Sequence, residues 1–207
     1  MEFITNPRLI EERSMAIIAP HIAGLNLPAA EAKIYSRIIH AAGDVDYANH
    51  IRIHPQAVEA ATRALKAGCD VFCDVEMVRT GINRRRLADF GGAAHCLIAD
   101  PAIAAVAQSQ GITRSMAAIR AFGPRLDGSV VAIGNAPTAL FELLRLIEET
   151  GIRPAAIIGV PVGFVGAAES KEALVAAAPV PYVTVTGTKG GSPIAAAAVN
   201  AILYMLD

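Results

Sequence analysis

Between Ser129 and Leu174 the chain runs through two consecutive apolar strands, and each ends in a loop of small residues that opens a helix. Ser129 to Ile133 leads into Gly134-Asn135-Ala136-Pro137-Thr138, and Ala156 to Val160 leads into Pro161-Val162-Gly163-Phe164-Val165-Gly166. Strands without polar alternation belong in a sheet covered by helices on both faces, and such sheets are parallel with right-handed crossovers. Open sheets of this kind bind ligands outside the carboxyl ends of their strands. The stretch therefore constrains the class of fold and the place of a ligand before it says which ligand.

The rest of the chain fits that frame. Strand-like runs occur at Asp70 to Cys73, His95 to Ala99, Val130 to Gly134, Ala156 to Val160 and Tyr182 to Thr186. Between them the pattern is helical at Val75 to Thr80, Pro101 to Gln110, Arg114 to Phe122, Pro137 to Thr150, Ala167 to Ala177 and Ser192 to Leu206. The first 68 residues read as three helices. One runs from Asn6 to about Ala19 on Leu9, Ile10, Arg13 and Ile17. The second runs from Pro28 to Ala42 and is capped by Gly43, and the third opens at Pro55 and closes at Gly68. The expected architecture is α/β: one domain over residues 1–207, with a mostly parallel five-stranded sheet flanked by helices (69–207) and an N-terminal helical cap (1–68).

Composition narrows the function. A chain of 207 residues with 54% hydrophobic and 18% charged residues can bury a large core. No apolar run reaches the roughly 20 residues needed to span a bilayer, and the opening MEFITNPRLIEERS lacks the apolar core of a signal peptide. A cytoplasmic location is expected. A net charge of −1 without a basic arm argues against nucleic acid, and Arg84-Arg85-Arg86 reads as a solvated corner. The three cysteines, Cys69, Cys73 and Cys96, lack redox or zinc spacing and read as small buried hydrophobes. No histidine pair has ligand spacing, so no metal is expected.

Three polar features stand out. On the second helix Ile34, Ile38 and Ala41 form an apolar stripe, and Lys33, Arg37 and His40 form a polar one at the same spacings. A guanidinium can clamp a carboxylate, and an imidazole can move a proton near neutral pH. On pattern alone a helix-end histidine needs no such role. His21 follows Pro20 in a loop, His50 and His54 flank a short extended piece, and His95 starts a strand. Arg114 opens a helix, where the N-terminus also attracts anions. The loops carry Asn135, Gly163, Gly190 and Gly191, and the third, Thr186 to Pro193, adds Lys189 and hydroxyls. Without GxGxxG or a Walker lysine they are not nucleotide fingerprints. Their backbone N–H groups suit a ligand with several separated carboxylates. Each glycine also has the simpler reading of a tight turn.

These motifs resemble the precorrin isomerase family, the precorrin-8X and cobalt-precorrin-8 methylmutases. The resemblance rests on ERSMAIIAP (Glu12 to Pro20), RIIHAAGD (Arg37 to Asp44), ALKAGCDVFCDVEMV (Ala64 to Val78), SVVAIGNAPTALFELL (Ser129 to Leu144), GVPVGFVGAAESKEAL (Gly159 to Leu174) and GTKGGSPIAAAAVNA (Gly187 to Ala201). It implies an α/β homodimer that moves a methyl group from C-11 to C-12 of a corrin-type macrocycle, giving hydrogenobyrinate or cobyrinate. It implies that His40 is the proton donor and acceptor, and that Ser14 and Arg37 contact substrate. Arg114 would reach substrate bound at the neighbouring subunit. Where the family can carry Thr just after the Gly81 turn, this chain has Asn83. A methyl shift needs no cofactor; it needs a proton and a large acidic ring held in one orientation. The competing readings are a non-catalytic corrinoid carrier and an α/β enzyme of a nucleotide or phosphate metabolite.

Overall fold

A computed structural model describes residues 3–207; Met1 and Glu2, which open the stretch read as lacking a signal-peptide pattern, lie outside the described residues. In chain order the elements are α1 (Pro7–Ala23), α2 (Ala29–Ala42), α3 (Tyr47–His50), β1 (Ile51–Ile53), α4 (Ala57–Lys66), β2 (Val71–Cys73), α5 (Glu76–Gly81), α6 (Arg84–Asp89), β3 (Ala94–Cys96), α7 (Pro101–Gln110) and α8 (Arg114–Phe122). A 3-10 turn, Gly123–Leu126, precedes β4 (Val130–Ile133), and α9 (Pro137–Thr150), β5 (Ala156–Gly159), α10 (Ala167–Ala177), β6 (Tyr182–Val185) and α11 (Ser192–Leu203) complete the chain. None of these helices is long and apolar enough to cross a membrane.

The sheet has six strands in the order β1-β6-β5-β4-β2-β3, one more than the sequence pattern predicts. All neighbours are parallel except β1, which pairs antiparallel with β6 in the register Ile51↔Val185. The extra strand is the short extended piece between His50 and His54. With three residues it carries too little pattern to count as a strand by itself, and the edge of β6 supplies its partner.

Alternation along the strands divides the core in two. Val71, Cys73, Val130, Ala132, Ala156, Ile158, Val183 and Val185 pack with α1, α2, α4 and α11. Phe72, Val131, Ile133, Ile157 and Tyr182 face the other way, against α8, α9 and α10. Small side chains set the spacing: a Cβ on Gly134 would lie 2.8 Å from the Ser192 Cα and 3.0 Å from the Ala195 Cβ, so α11 can rest on β4 only where β4 ends in glycine.

The N-terminal helices depart from the pattern in two places. The structure carries α1 through Pro20 to Ala23, so His21 is helical rather than in a loop. Proline removes one helical hydrogen bond, but Ala16 and Pro20 are both exposed, so water can satisfy the freed carbonyl. Leu9, Ile10 and Ile17 point outward, and Ile18 is the residue α1 buries. On α2 the buried face holds Ile34, Tyr35, Ile38 and Ile39, whereas Ala41 is exposed and the stripe continues through Ala42. The Arg84–Arg86 corner is also a short helix, in which Arg86 donates to the carbonyls of Leu203 and Leu206 at the end of α11.

Candidate functional site

The carboxyl ends of β4, β5 and β6 present their three loops along one edge of the sheet, and the end of α2 is fastened there. Gly43, with φ of 64°, closes α2 by donating to the Ile39 and His40 carbonyls. The chain then turns so that the Tyr47 hydroxyl accepts from the Gly190 N–H at 3.1 Å and donates to the Gly190 carbonyl at 3.3 Å. Lys189 is paired with Asp44 and with Asp46, the latter at 3.0 Å. His50 links Asp46 to the Thr186 hydroxyl, at 3.1 and 3.0 Å. The hydrogen bond from Lys189 holds the Asp44 carboxyl below its ordinary value, and Asn49 and Lys189 bring Asp46 down to about 2. Between this corner and the β5 loop lies a cavity of about 390 Å³.

His40 stands in the last turn of α2, exposed, with no hydrogen bond to its ring among the described residues. Arg37, one turn earlier, lines a second cavity of about 500 Å³ between α1, α2 and the end of α11. Its Nη2 donates to the Glu11 carboxylate at 2.7 Å, and its guanidinium lies 5.7 Å from the centre of the Tyr204 ring. Ser14 lies one turn beyond Glu11 on α1 and donates to the Ile10 carbonyl at 2.8 Å. Arg37 and His40 are one turn apart on α2, Ser14 is one turn from Glu11 on α1, and a carboxylate ligand at the Arg37 Nη2 would compete with Glu11.

Arg114 is elsewhere. Thr113 caps α8 and its hydroxyl meets that of Thr138 at 3.0 Å, so α8 starts at the edge where β4 ends. That start, however, is on the α8–α9 face, opposite the face that carries α2. Arg114 is exposed and forms no ion pair among the described residues.

The loops correct the expectation of free backbone donors. Gly134, Asn135 and Ala136 give their N–H groups to the Asp74 carboxylate at 3.0, 2.9 and 2.7 Å. Gly163 donates to the Thr188 carbonyl and Gly191 to the Val160 carbonyl, at 3.2 and 2.9 Å. Gly190 donates to Tyr47. At Asn135 the exposed side chain remains available to a ligand, and at Gly163 a Cβ would find nothing nearer than 3.7 Å. Gly190 is glycine for the fold, since its Cβ would run into the Val160 carbonyl.

Sequence reasoning missed Asp74, which is fully buried at the end of β2. Burial pushes its carboxyl up and the three N–H donors pull it back. Nothing in its flanking pattern marks it, because its partners lie some 60 residues on. It also gave Lys189 to the ligand, where Asp44 and Asp46 already hold it. Lys171 in α10 is 1% exposed and donates to the Lys189 carbonyl at 2.5 Å; desolvation brings it down to about 8. Asn83 caps α6 and meets the Tyr204 hydroxyl at 3.2 Å. Burial raises the Cys69 and Cys96 thiols to about 11, and Cys73 is buried, which leaves no activated thiolate. Among the described residues, no three His, Cys, Asp or Glu side chains are grouped as metal ligands.

The family model for precorrin-8X methylmutase matches residues 9–205. A precorrin-8X methylmutase of Sinorhizobium sp. is 45% identical over 97% of this chain and 96% of its own. A cobalt-precorrin-8 methylmutase of Leptospira interrogans is 41% identical over 99% and 97%. The crystal structure of precorrin-8X methylmutase from Thermus thermophilus superposes with a TM-score of 0.86 at 37% identity, covering 97% of this chain and 98% of that one.

Proposed function

The chain belongs to the precorrin-8X methylmutase family, and we propose how its own residues divide the work of a methyl shift on precorrin-8X or cobalt-precorrin-8. The reaction is an isomerisation within one molecule: the methyl group leaves C-11 and bonds to C-12, and no atom is gained or lost. A proton placed on the macrocycle draws electron density away from the ring and is returned once the methyl has moved. His40 is the group that lends it. The observation that carries this reading is the place of His40, an exposed imidazole without a hydrogen-bond partner among the described residues at the end of α2, where Asp44, Tyr47 and Lys189 fasten that helix to the carboxyl edge of the sheet. An imidazole can both give and take a proton.

Arg37, with Ser14 beside it, receives a substrate carboxylate in exchange for Glu11. Asn135, Gly163, Gly190 and Gly191 border the ring along the strand ends, Gly163 by allowing close approach. The working unit is a homodimer in the cytoplasm. The packing of α8 and α2 on opposite faces of one sheet supports a role for Arg114 at the neighbouring subunit's substrate.

His40→Ala is expected to bind the product with nearly unchanged affinity and to lose conversion of precorrin-8X, followed by the change in absorption spectrum. Near-normal conversion would remove His40 from the mechanism. Mixing His40→Ala with an inactive Arg114→Ala chain should restore activity, because each hybrid dimer contains one intact site. No recovery after subunit exchange would refute the assignment of Arg114 across the interface.

A further inference from the structure

Phe164 is 94% exposed and Val165 is 90% exposed, next to Val162 at 45%. Isolated apolar side chains on a surface need no explanation, but a contiguous group at the edge of a cavity does. The loop that carries them is held in place. Its base is closed by hydrogen bonds from Gly163 to Thr188 and from Gly191 to Val160, at 3.2 and 2.9 Å. Gly163 and Gly166, with φ of 149° and 76°, take conformations that let the chain present Phe164 and Val165 outward.

We propose that Phe164 is a substrate-positioning residue that packs against the apolar face of the macrocycle; this rests on the methylmutase reading above. Val162, Gly163 and Phe164 form one wall of the 390 Å³ cavity, and Ala42 and Tyr47 form the other, two residues and a turn beyond His40. The charges in this corner satisfy one another, Lys189 with Asp44 and Asp46, so among the described residues the corner holds no free cation for a carboxylate. The part of a polycarboxylate ring that suits it is the ring body. Arg37, whose guanidinium can take a carboxylate, lies on the other side of His40 along α2. A flat ligand with its body against Phe164 and its rim at Arg37 spans His40.

The test titrates the full-length protein with hydrogenobyrinate and follows its absorption spectrum. Removing an aromatic ring that the bound macrocycle would cover should raise the Kd of Phe164→Ala about tenfold or more, with the thermal midpoint and sedimentation coefficient unchanged because the side chain is exposed in the free protein. Phe164→Leu should recover most of the affinity. A wild-type Kd in Phe164→Ala overturns the proposal and leaves the methylmutase reading standing. A loss of affinity that tracks a change in sedimentation also overturns it, and makes the patch a contact between copies of the chain. A wild-type protein that neither binds hydrogenobyrinate nor converts precorrin-8X removes both readings together.

Discussion

Asp74→Asn is the substitution that most directly tests how the strand edge is built. The carboxylate accepts three backbone N–H groups, one on Oδ1 from Gly134 and two on Oδ2 from Asn135 and Ala136, within a residue that is fully buried. An amide keeps the shape but has one oxygen. Its better orientation leaves that oxygen facing Asn135 and Ala136 and turns an N–H toward the Gly134 N–H. One charge-assisted bond is lost, the other two weaken, and two donors face each other where water does not reach. Hydrogen bonds to charged groups contribute about 1.5–3 kcal/mol each, so the expected loss is about 3 kcal/mol. Relief from burying a charge offsets part of the gross cost. For a chain of this size the midpoint should fall by about 6–12 °C. Urea unfolding, read as a lower midpoint concentration at constant slope, is the assay. A variant within about 0.5 kcal/mol of wild type would show that the 134–136 loop does not depend on the carboxylate. A more stable variant would show that burial of the charge outweighs its three bonds.

Two further substitutions probe the same edge. Lys171 has a folded-state value of about 8 against an ordinary 10.5, so between these the unfolded chain keeps a proton the folded chain has lost, and stability gains with rising pH. Lys171→Met should remove this contribution; the stability difference, wild type minus variant, should grow from about pH 8 toward 10.5, and a flat difference would refute the assignment. Gly190→Ala forces a Cβ toward the Val160 carbonyl and within 2.9 Å of the Pro161 oxygen, at φ of 150°. It should cost about 1–3 kcal/mol and expose the Gly191 amide to hydrogen exchange, whereas wild-type stability and protection would show that the loop relaxes freely.

Most of the α/β frame was legible because helix and strand signals are local. Gly43, Gly111 and Gly151 close α2, α7 and α9 in the left-handed conformation, as helix-ending glycines do. Thr113 and the prolines at 101 and 137 open helices where the pattern places them. β1 escaped because a three-residue strand owes its existence to a partner more than 130 residues away. His40 and Arg37 were visible as a polar stripe, since both lie on one helix. What each touches was not visible: Glu11 comes from α1 and Tyr204 from just beyond α11. The loops were visible as loops, but their N–H groups looked free because the acceptors, Asp74, Thr188, Val160 and Tyr47, lie on other elements. Spacing within a segment shows what a residue can do, and only the fold shows whether a neighbour has already used it.

The pairing of β1 with β6, together with the packing of α2 on α11, joins the first quarter of the chain to its last. Contacts of such long sequence separation are slow to form, because a large loop must close before they contribute. During synthesis the parallel β3-β2-β4 part of the sheet can assemble while α2 still lacks the helix on which it rests. The end of α2 is fastened only when Lys189 and Gly190 have emerged. Competence to hold the imidazole of His40 at the strand edge is thus acquired last, and a chain stalled before α11 would own every side chain of α2 with no seat for it.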